Sequence, residues 1–464
     1  VPPAPTAEDS HATKGLLRLT MACNERCPFC NVPAEDYPRP TPPAEEVEAQ
    51  LQAFLATGQQ TLTISGGEPT LLRKRLVALV ARARALGIPF VELQTNAVLL
   101  DPAYADELAA AGLTSAFISL LSHEPALHDH LAGLAGAWPR CLAGIDALLA
   151  AGVRVTLNPV FARASQDTVP AYIDFVAARL PGVRSISLSA VQPHGRARAH
   201  LDALLPDYAI LGEAVRVARA RAEAHGIELL NPYCGLPACV GWEAGLDHSV
   251  EAIEAARGGW QDRPGIENTG DKQHGAPCRD CALRPRCGGA WHAVWEQRGG
   301  AGIAPPVRLR PPWQAGAEHA PGQALARDLA GLAAVSEAAW TVWVLLDGLA
   351  LDQVGPLLRS RATELALDLP AAALDPAGPL DRELVRALRR LDRSNALRQP
   401  QGRLRAWLRL RTDDVDQADR ALQLARNLGV HAVHVAGAAG VHAALLARRA
   451  PDLLVEGGSP VLAG

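Results

Sequence analysis

At 464 residues the chain is too long for one ordinary hydrophobic core, so two or three domains are expected, and a barrel of about 200 residues can be one of them. Hydrophobic residues make up 48% and charged residues 20%, the balance of a soluble globular protein, and a net charge of −4 gives no basic footprint for nucleic acid. No apolar run reaches the roughly 18 residues of a membrane span, and the opening VPPAPTAEDSHATKG lacks a signal-peptide pattern; no membrane association and a cytoplasmic location are expected.

From about residue 15 to 230 one unit repeats, a short apolar strand followed by an amphipathic helix. Six strands are expected: GLLRLTM (15–21), TLTIS (61–65), FVELQ (90–94), SAFISL (115–120), VRVTLN (153–158) and RSISLS (184–189). Ala-, Leu- and Arg-rich stretches such as 71–86 and 139–151 suit helices closed by Gly87 and Gly152. Alternating β and α of this length gives a parallel sheet, either doubly wound or a closed or partial barrel, with ligands at the C-terminal strand ends.

Nine cysteines, most of them in two groups with ligand-like spacing, point to metal binding in a reducing compartment rather than to disulfides. Cys23, Cys27 and Cys30 follow the first strand at spacings of four and three. Three thiolates on an iron–sulfur cubane leave one iron free for a further ligand; a structural zinc site completed by a fourth residue is the alternative. At the end of the next strand stands Ser65-Gly66-Gly67-Glu68-Pro69, where glycines admit close backbone approach and a carboxylate suits an ammonium group.

The CxxxCxxC with Phe29 before its last cysteine, and the GGE one βα unit later, resemble the radical SAM superfamily over about residues 14–200. The resemblance implies a 4Fe–4S cluster on Cys23, Cys27 and Cys30, with S-adenosylmethionine (SAM) near Phe29, Gly66, Gly67, Glu68 and Pro69. By the same resemblance Gln94, Asn96, Ser119 and Asn158, polar residues at further strand ends, lie near SAM. The implied fold is α/β: a partial (β/α)6 TIM-like barrel over 14–230, then a cysteine-rich auxiliary-cluster region over 231–300, a Pro/Gly-rich linker over 301–334 and a small C-terminal α/β domain over 335–464. Strand-like runs TVWVLLDG, LRAWLRLR, HAVHVAG and DLLVEGG mark that last domain.

Cys234, Cys239 and Cys278-x2-Cys281-x5-Cys287 resemble the SPASM or twitch region that ligates a second cluster in this superfamily, although a full SPASM region carries about seven cysteines. One auxiliary 4Fe–4S cluster is expected, on Cys278, Cys281, Cys287 and either Cys239, favoured because Gly235 and Pro237 turn it back, or Cys234, which is then nearer the substrate. A zinc site is again the alternative. The turn VQPHGRA (191–197) resembles a PxGRA-type turn of this subgroup. Cys141, in an Ala/Leu-rich helix, reads first as an inert buried thiol and second, like Cys234, as a hydrogen-donor candidate. His123, His128 and His130 fit no zinc spacing well.

The expected function is reductive cleavage of SAM to a 5'-deoxyadenosyl radical that abstracts hydrogen from a peptide or protein side chain, fed by a low-potential donor such as a flavodoxin or ferredoxin. A small-metabolite substrate is the alternative within the enzyme class, and an iron–sulfur electron carrier or scaffold the alternative outside it.

Overall fold

The computed structural model describes residues 14–233, 235–257, 271–278, 281, 283–305, 311–314, 323–335, 339, 341–395, 404–450 and 454–457; Cys234 lies outside the described residues. The chain divides into two compact units, the first within 1–253, 261–277 and 288–304, the second within 254–260, 278–287 and 305–464.

The first unit is a seven-stranded parallel sheet: β1 (Lys14–Thr20), β2 (Thr61–Gly66), β3 (Phe90–Thr95), β4 (Ser115–Ile118), β5 (Arg154–Leu157), β6 (Ser185–Ser187) and β7 (Glu228–Leu230). Neighbours in the sheet follow sequence order without reversal. A doubly wound sheet needs a reversal, so that alternative falls away; right-handed crossovers then place every helix on one face and leave the other for a barrel interior. Six strands were expected and the seventh, Glu228–Leu230, is too short a run to stand out in the sequence. The register carries one apolar belt across the sheet, Leu17 to Ile64 to Leu93 to Ala116 to Val155, each buried.

Helices α1 (Ala44–Ala56), α2 (Arg73–Ala85), α3 (Pro102–Ala111), α4 (Pro125–Ala132), α5 (Ala137–Ala150), α6 (Val169–Arg179) and α7 (Tyr208–Ala224) form the crossovers. Helix α3 shows the local logic: Asp101 caps it by accepting from Tyr104 N at 2.7 Å, Pro102 occupies its first turn, and Gly112 ends it in the left-handed region at φ 103°. Tyr104, Ala105 and Leu108 are its buried face.

The second unit holds six parallel strands, again in sequence order: β8 (Gln323–Ala326), β9 (Thr341–Leu346), β10 (Glu364–Pro370), β11 (Arg405–Arg411), β12 (Ala432–Ala436) and β13 (Leu454–Gly457). Strand β8 falls inside the stretch 301–334 read as a linker, and β10 was not singled out. In β10 the apolar Leu365, Leu367 and Leu369 join the core with Val342, Val344, Leu408 and Val433, whereas Ala366 shares the opposite face with Trp343 and Trp407.

Candidate active site

At the C-terminal ends of the first unit's strands lies a cavity of about 210 Å³. The loop after β1 contributes Cys23, Cys27, Phe29 and Cys30; β2 contributes Ser65 to Gly67, β3 Gln94 to Asn96, and the segments after β4, β5 and β6 add Ser119, Val160 and Arg196. Six separate strand ends therefore converge on one space, as a barrel mouth requires.

The cysteine loop is fastened mainly through backbone. Gly67 N donates to Thr20 O at 2.7 Å and Glu68 N to Ala22 O at 2.8 Å. A Cβ on Gly67 would lie 2.4 Å from the carbonyl oxygens of both Met21 and Ala22, so glycine is required for the β2 end to touch the loop. On the far side Arg196 N donates to Cys30 O at 2.9 Å, Arg196 Nη1 to Cys27 O at 3.3 Å, and its guanidinium pairs Glu35 at 2.5 and 2.6 Å. Gly195 sits at φ 54°, and a Cβ there would meet Cys30 O at 2.1 Å. Asn96 Nδ2 completes the fastening by donating to Asn24 Oδ1 at 2.9 Å.

Burial pushes the Cys23 thiol up to about 12, against a backbone hydrogen bond from Glu25 and with Glu68 and Glu25 adding to the rise; Cys23 is exposed as a residue, but its thiol is crowded. Burial likewise raises Cys27 well above the ordinary thiol value, and raises Cys30, where Arg196 pulls the other way. A bound metal would draw these thiols to thiolates. Among the described residues no three His, Cys, Asp or Glu are grouped closely enough to hold one metal ion. Three thiols around an open cavity fit a multi-iron cluster with a free position.

Of the SAM-side residues expected from the sequence, Phe29, Gly66, Gly67, Gln94, Asn96 and Ser119 line the cavity. Glu68, Pro69 and Asn158 do not. Glu68 is fully buried: Oε1 accepts from Thr70 N at 2.9 Å, Thr70 Oγ1 at 2.6 Å and Thr95 Oγ1 at 2.8 Å, and Oε2 accepts from Asn96 N at 2.7 Å. Its carboxylate thus braces the ends of β2 and β3. Pro69 starts the 3-10 turn Pro69–Leu72, and Asn158 Nδ2 is spent on Ser187 O at 2.6 Å and Ser189 Oγ at 2.8 Å. Glu25, Ser65 and Arg196 were not foreseen as lining residues; the PHGRA turn was the one visible signal for Arg196.

Cys141 is fully buried in α5, its thiol raised by burial, and it does not line the cavity. His128 is buried, its Nδ1 accepting from Leu121 N at 3.1 Å, and burial lowers it to about 4; His130 is exposed, so the histidine trio shares no site.

The later cysteines divide between the units. Cys239 lies buried in the first, while Cys278, Cys281 and Cys287 belong to the second. There Cys281 N donates to Cys278 O at 3.3 Å, Leu283 N to Cys281 Sγ at 3.3 Å and Cys287 N to Arg284 O at 3.3 Å, a tight coil that turns Cys278 and Cys281 inward.

The profile described as "Radical SAM superfamily" matches residues 17–176. A PqqA peptide cyclase of Ruegeria pomeroyi is 35% identical over 246 residues, 50% of this chain and 64% of that protein. Another, of a Methylobacterium species, is 32% identical over 305 residues, 58% of this chain and 79% of that protein. Among solved structures, Streptococcus suis SuiB bound to S-adenosylmethionine matches with a TM-score of 0.40 and 20% identity over 47% of this chain and 49% of that one, too partial a likeness to argue from. With 79% of one relative covered and the CxxxCxxC loop and glycine turn meeting at one barrel mouth, the chain belongs to the radical SAM superfamily.

Proposed function

We propose that the protein is a radical SAM enzyme that modifies a peptide or protein side chain. The observation that carries it is the convergence of Cys23, Cys27, Cys30 and the Gly66–Gly67 turn on one cavity. The peptide half of the reading is supported by the relatives named PqqA peptide cyclase, of which this chain spans 64% in one case and 79% in another.

When bound, a 4Fe–4S cluster would supply the one-electron reduction that cleaves SAM and starts hydrogen abstraction. The chain's own part is placement. Cys23, Cys27 and Cys30 would ligate three irons, the backbone of Gly66 and Gly67 would meet the amino-acid end of SAM, and Gln94, Asn96 and Ser119 would fix its orientation. Phe29 lines the cavity beside the cysteines, and Arg196 paired with Glu35 would help hold the cysteine loop in place. Cys278, Cys281 and Cys287, with Cys239 as the favoured fourth ligand, would hold one auxiliary 4Fe–4S cluster, and a flavodoxin or ferredoxin would deliver the electron.

The test is deuterium transfer. Anaerobically reconstituted protein, dithionite and SAM are incubated with a side-chain-deuterated peptide encoded beside the gene. Deuterium in 5'-deoxyadenosine and a changed peptide mass support the reading. SAM cleavage that neither labels nor alters any such peptide, but labels a small metabolite, replaces the peptide reading.

A further inference from the structure

The second unit's sheet keeps its strands parallel and in sequence order, as the first does. Right-handed crossovers then set the helices on one face, and the other face is open to a ligand near the C-terminal strand ends. That face changes character along its length. Ala366, Trp407 and Ala432 form an apolar row with Trp343 beside them. Two residues further along each strand stand Asp368, Arg409 and His434, aligned by the register of β10, β11 and β12, and Arg411 follows one step beyond.

This polar row is unbalanced in charge and in hydrogen bonding. Arg409 Nη1 donates to Asp368 Oδ2 at 3.3 Å and Arg411 Nε to Asp368 Oδ1 at 2.9 Å, so two guanidiniums share one carboxylate. Burial, and after it Arg409, lowers the pKa of His434; its ring stays neutral, and the described side chains of the row keep one positive charge in excess. Three polar atoms here are buried without a hydrogen-bond partner among the described residues: Arg409 Nε, His434 Nδ1 and the Nε1 of Trp313, whose ring centroid lies 6.0 Å from that of His434. Guanidinium and indole N–H groups only donate, and a neutral imidazole donates from Nδ1 in one of its tautomers. Such a set is satisfied by an acceptor that carries negative charge. A solvated charged face does not account for it, because these three atoms are shut off from water while Arg411 on the same strand is exposed.

We propose that the C-terminal ends of β10, β11 and β12 form a second ligand site, which takes the carboxylate of a small organic acid on Arg409 and Arg411 and its apolar body along Trp313 and the Ala366–Trp407 row. One surplus charge suits a monoanion better than a dianionic phosphate, and the Nε side of the Arg409 fork matches the two oxygens of a carboxylate. Asp368 competes with the ligand for the same two guanidiniums and so sets its affinity. The site is made of second-unit residues alone and does not depend on the SAM reading.

The full chain is titrated calorimetrically with sodium benzoate, with benzamide as the neutral isostere and inorganic phosphate as the dianion. Saturable binding of benzoate is expected, with benzamide silent and phosphate weaker. Arg409→Gln should bind about tenfold more weakly and Arg411→Gln about threefold, on the scale of a lost charge-assisted pair, whereas Asp368→Asn should bind about threefold more tightly because both guanidiniums are released to the ligand. Arg449→Gln, whose arginine pairs Asp419 elsewhere in the same unit, should match the wild type. The gain in Asp368→Asn is the decisive reading, since breaking a merely structural ion pair does not tighten binding. Arg411 is exposed, so Arg411→Gln keeps the fold and gives an answer even if Arg409→Gln misfolds. Glu456→Gln joins the set because the register places Glu456 beside His434. The proposal is overturned by wild-type protein that binds no benzoate, that binds benzamide equally, or that binds phosphate more tightly. It is overturned as well if Arg411→Gln and Asp368→Asn both leave the affinity unchanged, or if benzoate binds only after Glu456→Gln, which would make the acceptor one of the chain's own.

Discussion

Replacing Glu68 by Gln separates bracing from ligand binding. The two carboxylate oxygens serve two different backbone donors, Thr70 N on Oε1 and Asn96 N on Oε2, at 2.9 and 2.7 Å. An amide has one acceptor oxygen, so whichever way Gln turns, one buried N–H faces an NH2 group. The hydroxyls of Thr70 and Thr95 can rotate to accept from that NH2, but a backbone N–H cannot. One unsatisfied buried donor costs about 1–3 kcal/mol. Part is returned, because burial raises the pKa of Glu68 and the neutral amide escapes that desolvation. A net loss of about 2 kcal/mol is expected, read in urea unfolding followed by circular dichroism as a lower midpoint with an unchanged slope. SAM affinity of the cluster-loaded protein should change by less than about tenfold, or about 1.4 kcal/mol, because the carboxylate is not on the cavity. A variant as stable as the parent that binds SAM more than tenfold worse would refute this and restore a direct contact with the ammonium group.

Gly67→Ala puts a Cβ 2.4 Å from two carbonyl oxygens of the cysteine loop. It should therefore lose iron on reconstitution while keeping its far-UV spectrum; normal iron loading would contradict the packing argument. His128, lowered to about 4 by burial, binds its proton later in the folded than in the unfolded state. Stability should fall as pH drops from about 6.5 to about 4, by about 3 kcal/mol at most, and level off below. His128→Asn should remove that slope, measured as the difference in unfolding free energy between pH 7 and pH 4; an identical slope in the variant would show that other groups carry it.

The cysteine loop and the glycine turn were legible because their chemistry is local: thiols at fixed spacing and two glycines at a strand end state their own constraints. Glu68 was legible as a motif member but its surroundings were not, because only the fold reveals that Thr70, Thr95 and Asn96 surround its carboxylate. Arg196 lies about 170 residues beyond Cys27, and nothing local indicates that the sixth strand end returns to the first loop. Strand β10 was hidden by its alternation of Glu364 and Asp368 with leucines, which reads as a polar face until Arg405 and Arg409 are found opposite on β11. The grouping of Cys278–Cys287 with the C-terminal sheet, apart from Cys239, is a tertiary fact with no signature in spacing.

The central claim is tested most directly by 5'-deoxyadenosine formation. Anaerobically reconstituted wild-type protein with dithionite and SAM should produce it, and the variant with Cys23, Cys27 and Cys30 changed to Ala should produce none while keeping the iron of its later cysteines. Cleavage of SAM by that triple variant at the wild-type rate would contradict the account.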